Sequence, residues 1–305
     1  MKALIVGLGS IGKKHVDAIR SIDDTIEIYA LRSSNESKKY ASIVNLYSMN
    51  EVNEYAFDFA IISNPTSEHR KSIQELSALK CPLFIEKPIY HFLSIENEVK
   101  YITSNNIITY VACNIRFLES IKYLKKMIDK NKGSYINEVN VYCGTYLPEW
   151  RENLNFKECY SAIPGLGGGV HIDLIHEIDY LYWIFGQPDF THKIFSNKSS
   201  LNILSYDYAN YCLEYPTFNA NIILNYYRRD SKRFCEVVFD NESVIVDLLK
   251  NSVLNSNGEV LFSSTQKIID TYKDQMMYFI DRVKVQKDTF NTISEAYNVL
   301  KICLE

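Results

Sequence analysis

In the first third of the chain the apolar runs are short, and each ends in a polar or glycine-rich cluster. Residues 3–6, 27–31, 57–63, 82–85 and 109–113 read as strands, the first and third as strands buried on both faces. Helix-period segments follow several of them: after Gly12, over 67–79 and over 93–105. Strands alternating with helices predict a parallel, doubly wound α/β sheet over residues 1–117. Beyond residue 117 the pattern changes. A helix is predicted over 118–131, and residues 135–146 alternate as a strand. A loop then carries Trp150, Arg151, Tyr160 and the glycine-rich 165–169, and one strongly apolar helix is predicted over 170–185, closed by Gly186. Residues 209–215, 219–227, 233–239 and 243–247 read as strands of an antiparallel sheet, and 276–285 and 294–304 as helices. Residues 118–305 therefore form a second α/β domain.

The first strand runs directly into Gly7, Gly9 and Gly12 at G-x-G-x-x-G spacing, and a helix follows. Gly7 suits a tight turn, Gly9 a close backbone approach to a pyrophosphate, and Gly12 the packing of helix on strand. Ser10 and Ile11 belong to this loop, and the helix pattern follows from Lys13, so that the helix's first N–H groups and positive dipole end would face phosphates. Two more polar clusters fall at strand ends: Asn64, Pro65, Thr66 and His69, then Glu86, Lys87 and Pro88. Ligands of doubly wound sheets bind beyond the carboxyl ends of the strands, so all three clusters are placed for a dinucleotide. At the end of the second strand an acid usually holds the ribose 2′-OH. Here Arg32, Ser33 and Ser34 stand instead, with no acid before Glu36. That set suits a 2′-phosphate and favours NADP over NAD. Arg32 stacked on the adenine would fit either cofactor.

Two constellations carry candidate chemistry. Lys87 places an amine at the carboxyl edge of the sheet, and Pro88 restricts its backbone. Beside a cationic nicotinamide such an amine can exchange a proton with a substrate hydroxyl or carbonyl. A surface lysine in a turn is the plain alternative. The second constellation is His171, Asp173, His176, Glu177 and Asp179 in the apolar helix. On a continuous helix Asp173, His176 and Glu177 share a face. An acid–base pair of His176 and Asp173 is one reading. A metal site from His171, Asp173, His176 and Glu177 is a second, disfavoured by its uncommon spacing. Capping and hydrogen-bonded burial are a third.

The ordered set of Gly7-Leu8-Gly9-Ser10-Ile11-Gly12 with His15, Asn64-Pro65-Thr66 with His69, Glu86-Lys87-Pro88, and Gly-Gly-x-x-x-Asp with His176 resembles the Gfo/Idh/MocA family over the whole chain. The resemblance implies an N-terminal Rossmann domain and a C-terminal α/β domain on a large, mostly antiparallel sheet, whose open face often makes homodimers or homotetramers. It implies NAD(P)-dependent oxidation or reduction of a sugar, polyol or sugar derivative. Lys87 matches the family's catalytic lysine, Asp173 its motif acid and His176 its proton-transfer histidine. Many members space that histidine four residues after the aspartate. Here the gap is three, Glu177 takes the fourth place, and His171 is a second candidate. Asn114 and Arg116 fall where the family places substrate-side residues. Tyr146, Trp150, Arg151 and Tyr160 combine aromatics with arginine and suit a sugar carrying a carboxylate or phosphate. A nucleotide-activated sugar, as in surface-polysaccharide biosynthesis, is the attractive substrate class. A non-catalytic NAD(P) sensor and an enzyme that recycles its bound nicotinamide without net redox remain the alternatives.

Composition narrows the picture modestly. The 305 residues are 47% hydrophobic and carry a formal charge of −4, with no basic stripe, so nucleic acid is not an expected partner. The chain has no apolar run of membrane-spanning length. Seven scattered cysteines, none in a C-x-x-C pair, fit reduced thiols in a cytoplasmic protein. No resident metal is expected.

Overall fold

The computed structural model describes the chain except residues 35–39, 41, 131–133 and 152–153. The fold class is α/β, and the chain divides into two compact units. The first comprises Met1–Asn114 and Ile269–Leu300, the second Ile115–Ile268 and Lys301–Glu305.

The first unit is built on β1 (Lys2–Val6), β2 (Glu27–Leu31), β3 (Val44–Leu46), β4 (Phe59–Ile62), β5 (Leu83–Ile85) and β6 (Thr109–Val111). All pairs are parallel, in the order β3-β2-β1-β4-β5-β6. That is the doubly wound order, with its reversal at β1/β4. Helices α1 (Ser10–Ile22), α2 (Met49–Val52), α3 (His69–Ser77) and α4 (Glu96–Ser104) lie in the crossovers. The central strands are unbroken apolar runs because both faces are covered: Ala3, Leu4, Ile5, Phe59, Ala60, Ile61, Ile62, Leu83, Phe84 and Ile85 have no exposed surface. On α1 the buried residues Gly12, His15, Val16 and Ile19 recur at helical spacing. Val6 is in register with Ile62, and Ile62 with Ile85. The three polar clusters at the ends of β1, β4 and β5 therefore begin at one level, on adjacent strands.

The expected boundary at 117/118 assigns everything downstream to the second domain, and there the structure differs. Helix α8 (Asp270–Lys284) returns to the first unit. Its Phe279 meets Phe59 and Phe84 edge-on, with ring centroids 5.6 and 5.5 Å away. Thr289 Oγ1 donates to Thr109 O (2.6 Å), and Asn291 Nδ2 to Val111 O (2.8 Å), covering the β6 edge. An edge strand with unpaired backbone groups needs such a cover.

The second unit carries β7 (Ile136–Tyr146), β8 (Phe190–Ser196), β9 (Tyr208–Glu214), β10 (Asn219–Asn225), β11 (Tyr227–Phe239), β12 (Ser243–Asp247), β13 (Ser252–Asn255) and β14 (Val260–Ser263). They form a sheet in the order β14-β13-β12-β11-β7-β10-β9-β8, antiparallel except for β7/β10. One face buries Val139, Val141, Tyr211, Ile222, Leu224, Cys235, Val237 and Val246. Helix α5 (Glu119–Lys130) packs against β12–β14, and α6 (Val170–Asp173) against β9 and β10. The alternate residues, including Tyr142, Asn210, Ile223, Phe234 and Ile245, are part-buried or exposed. This is the period-2 pattern of a sheet covered on one side.

The single helix expected over 170–185 is two helices, α6 and α7 (His176–Phe185). At Leu174 the backbone moves to φ −99°, ψ 28°. Ile175 and Glu177 then bond three residues back, to Ile172 O (3.4 Å) and Leu174 O (3.3 Å). The tightened turn removes the regular helical relation between Asp173 and His176. Gly186 ends α7 at φ 84°, as its position in the sequence suggests. Helix α9 (Ile293–Leu304) completes the chain. Among the described residues no helix is long and apolar enough to cross a membrane.

Candidate active site

The candidate dinucleotide site lies in the first unit. Gly7 sits at φ +91°, and a Cβ there would fall 2.4 Å from Asn64 N. A Cβ on Gly12 would lie 2.2 Å from Gly7 O, so only glycine lets the helix start this close to the strand. A Cβ on Gly9, in contrast, meets nothing within 4 Å. Gly9 caps α1 with no side-chain hydrogen bond, and the first turn holds no acid. The opening N–H groups have no intrahelical acceptor. Open space over Gly9, unneutralised N–H groups and a positive dipole end together fit a pyrophosphate. Ser63 Oγ fixes the turn by donating to Gly7 O at 2.8 Å.

Arg32, half-buried after β2, donates from Nη1 to Asn45 Oδ1 at 2.9 Å, while Ser33 and Ser34 are exposed. Glu36 lies outside the described residues. Asn64 follows β4 and donates from Nδ2 to Ser72 Oγ (2.8 Å). Pro65 and Thr66 lead into α3.

Two residues expected to touch the cofactor serve the loop instead. His69 is buried, with Nδ1 2.9 Å from Pro88 O and Nε2 3.0 Å from Asn64 O. Both ring nitrogens are thus taken by backbone carbonyls, and burial pushes the imidazole pKa down. The Glu86 carboxylate faces inward, with Oε1 2.6 Å from His15 Nε2 and Oε2 accepting from Lys87 N at 3.3 Å. Lys87 follows, joined to Pro88 by a cis peptide bond.

The second unit holds the acid–histidine cluster. Asp173 Oδ2 accepts a 2.5 Å hydrogen bond from Tyr226 OH, and both residues are buried. Burial and the Asp173 charge push the Tyr226 phenol well up, and desolvation and the same charge push Tyr160 up. Asp173 therefore has two neutral phenols beside it. Trp150 meets the Tyr226 ring edge-on at 5.3 Å, and its Nε1 donates to Thr145 Oγ1 (2.8 Å). The Arg151 guanidinium lies 4.7 Å from the Tyr160 ring centroid, and that of Arg229 4.2 Å from Tyr146. Of the expected aromatic–arginine set, Tyr160 stands near Asp173 and Trp150 packs on Tyr226, which bonds Asp173. Tyr226 and Arg229 were missed, because in the sequence they are merely the end and turn of a strand.

The other ionisable groups of 171–179 have the following surroundings. His176 opens α7. The Glu177 carboxylate accepts from Arg233 Nε at 2.6 Å. His171 is buried against Phe195 and Tyr206, and burial with the Lys193 charge lowers its pKa to about 4. The continuous helix expected to carry Asp173, His176 and Glu177 is broken between Asp173 and His176, and among the described residues no His, Cys, Asp and Glu set gathers to hold a metal. Arg116 is corrected as well. Its Nε and Nη2 donate to both oxygens of Asp179 (2.8 and 2.7 Å), and neither side chain has more than 1% exposure. A guanidinium closed in this way does not reach substrate. Asn114, also buried, donates to Thr271 Oγ1 at 2.8 Å.

Residues 1–111 match the sequence model of the Gfo/Idh/MocA family, described as an oxidoreductase family with an NAD-binding Rossmann fold. The first 111 residues of the chain are thus similar to that family's NAD-binding domain. Over 210 residues it is 20% identical to myo-inositol 2-dehydrogenase of Thermotoga maritima, an alignment covering 66% of this chain and 59% of that enzyme's length. The structure of myo-inositol 2-dehydrogenase from Lactobacillus plantarum superposes with a TM-score of 0.81 at 21% identity, over 99% of this chain and 95% of that one. UDP-N-acetylglucosamine 3-dehydrogenase from Acidithiobacillus ferrooxidans superposes with a TM-score of 0.79 at 14% identity, over 100% and 95%. At these identities the structural likenesses establish the fold. The matched stretch includes the glycine loop, the candidate dinucleotide site.

Proposed function

We propose that the protein is an NAD(P)-dependent oxidoreductase that moves a hydride between nicotinamide and a hydroxyl- or carbonyl-bearing carbon of a sugar or nucleotide-activated sugar. The observation that supports this is the common level of the three loops after β1, β4 and β5, the first a glycine cradle that suits a pyrophosphate and the third carrying Lys87. The likeness to cyclitol and nucleotide-sugar dehydrogenases supports the substrate class. The arginine-backed aromatics Tyr146 and Tyr160, with Trp150, favour a ring substrate with an anionic group.

The bound dinucleotide supplies the hydride acceptor or donor. In the oxidising direction the Lys87 Nζ takes the hydroxyl proton as the carbinol C–H electron pair leaves. In reduction the same amine returns that proton to the carbonyl oxygen. Asp173, fixed by Tyr226, orients a substrate hydroxyl, and His176 takes part in proton transfer. Gly9, Ser10, Ile11 and Gly12 hold the pyrophosphate, and Asn64, Pro65 and Thr66 border it. Arg32 with Ser33 and Ser34 favours NADP by pairing with the 2′-phosphate. The open face of the second sheet is the proposed surface for a homodimer or homotetramer.

The test is an assay of purified protein with NADP⁺, NADPH and their NAD counterparts against nucleotide sugars, free sugars and inositols. It follows the reduced-nicotinamide absorbance. Net turnover with a sugar class establishes the oxidoreductase. Unchanged absorbance with a sugar product detected by mass would instead establish internal recycling of the nicotinamide. If Arg151→Ala leaves KM for the substrate unchanged, the anionic-group assignment fails.

A further inference from the structure

The segment carrying Lys87 is tied down at both ends by buried histidines. At its far end His69 Nδ1 holds Pro88 O at 2.9 Å. At its near end the Glu86 carboxylate bridges His15 Nε2 (2.6 Å) and the backbone N–H of Lys87 (3.3 Å). His15 has no exposed surface and the Glu86 side chain 13%. Around the imidazole stand Phe84 from β5, edge-on with centroids 4.8 Å apart, and Tyr272 from α8 at 6.2 Å. Tyr272 is a neutral phenol, pushed up to about 12 by burial and the Glu86 charge, and the Lys14 ammonium lies 4.9 Å from its ring centroid on the α1 side. A carboxylate only accepts hydrogen bonds, so His15 donates from Nε2. His15 Nδ1 is buried with no hydrogen-bond partner. A buried polar edge left unsatisfied is retained at a cost, which an apolar side chain at this position would avoid.

We propose that His15 is a positioning residue: through Glu86 it fixes the backbone from which Lys87 presents its amine. This inference rests on Lys87 being the proton-transfer group. His15 projects from the buried face of α1, a turn beyond the residues that border the pyrophosphate. It therefore acts on the placement of Lys87 and leaves dinucleotide affinity alone. Misplacing a reacting group by a fraction of an ångström to 1 Å costs on the order of tenfold to a hundredfold in rate.

The test compares wild type with His15→Leu, His15→Gln, Glu86→Gln, His15→Leu/Glu86→Gln and Lys87→Ala. It measures kcat, KM for the sugar, and the cofactor Kd by fluorescence. His15→Leu is expected to lose roughly tenfold or more in kcat, with the cofactor Kd changed less than about twofold. His15→Gln, whose amide N–H reaches the region of Nε2, should recover most of that loss. The double variant should be no slower than His15→Leu. Wild-type kcat in His15→Leu, a loss that appears only as a weaker cofactor Kd, or fully additive losses at His15 and Glu86 would each overturn the proposal. If His15→Leu does not fold, the kcat and Kd of Glu86→Gln decide by the same criteria. Lys87→Ala separates the two levels. If it is as active as wild type, the catalytic reading fails and this inference with it. If it is inactive while His15→Leu is unimpaired, only the inference fails.

Discussion

Asp179→Asn should destabilise the protein strongly and leave substrate affinity alone. The substitution keeps the shape of the side chain and removes its charge. It leaves Arg116, with a side chain at 0% exposure, as a guanidinium in the interior without its carboxylate. The Trp183 ring, 5.8 Å from the guanidinium carbon, offers a cation–π contact and no anion. Breaking a buried ion pair by removing one partner costs about 3–5 kcal/mol. For a folding unit of this size each kcal/mol lowers Tm by roughly 2–4 °C, so the expected fall is about 6–20 °C. Differential scanning calorimetry measures it. Assayed well below the lowered Tm, the variant should keep its KM for the sugar within about twofold. Replacing both partners, as Arg116→Met with Asp179→Leu, should recover much of the loss, because neither charge then needs solvation. A Tm within about 2 °C of wild type, combined with a large rise in KM, would refute the burial reasoning and return Arg116 to the substrate site.

Four further outcomes follow from the geometry. Gly12→Ala should disrupt the first unit, since its Cβ would fall 2.2 Å from Gly7 O. Gly9→Ala, whose Cβ enters open space, should keep Tm and weaken dinucleotide binding, both read by thermal melts with and without NADP⁺. Arg32→Glu should lower kcat/KM for NADP⁺ far more than for NAD⁺, and equal losses with both would dismiss the 2′-phosphate role. His171, held neutral with a pKa of about 4, has its folded value below the unfolded one near 6.5. Its contribution to stability is complete above pH ~6.5 and is lost as pH falls toward about 4. His171→Phe should flatten that part of the denaturation-versus-pH curve, and an unchanged slope would place the titration elsewhere.

The first unit was legible because its physics is local. Strands β1, β4 and β5 are uninterrupted apolar runs ending in glycine or polar clusters, and doubly wound topology alone brings those ends together. The return of α8 was not legible. Its pattern is that of any amphipathic helix, and Phe279 does not announce that it packs on Phe59 and Phe84, far away in sequence. The edge strands β8 and β14 and their neighbour β13 are not legible in the sequence because they are short or largely exposed. The 170–185 segment misled in a different way. Its composition is uniformly helical, and the break at Leu174 coincides with tertiary bonds drawing Asp173 to Tyr226 and Glu177 to Arg233. Charge at 116 and 179 looked functional in the sequence because a paired and an unpaired buried charge read alike until the partner is known. His15 and His69 stand out in the sequence as motif positions, and only the structure shows His15 against Glu86 and His69 against Pro88 O.

The most direct measurement is single-turnover reduction of NADP⁺ by a substrate sugar, comparing Lys87→Ala with wild type at matched cofactor saturation. The expected result is full cofactor binding with the hydride step slowed by about two to four orders of magnitude, the usual contribution of a positioned acid–base group. Hydride transfer at the wild-type rate in Lys87→Ala would contradict the account at its centre.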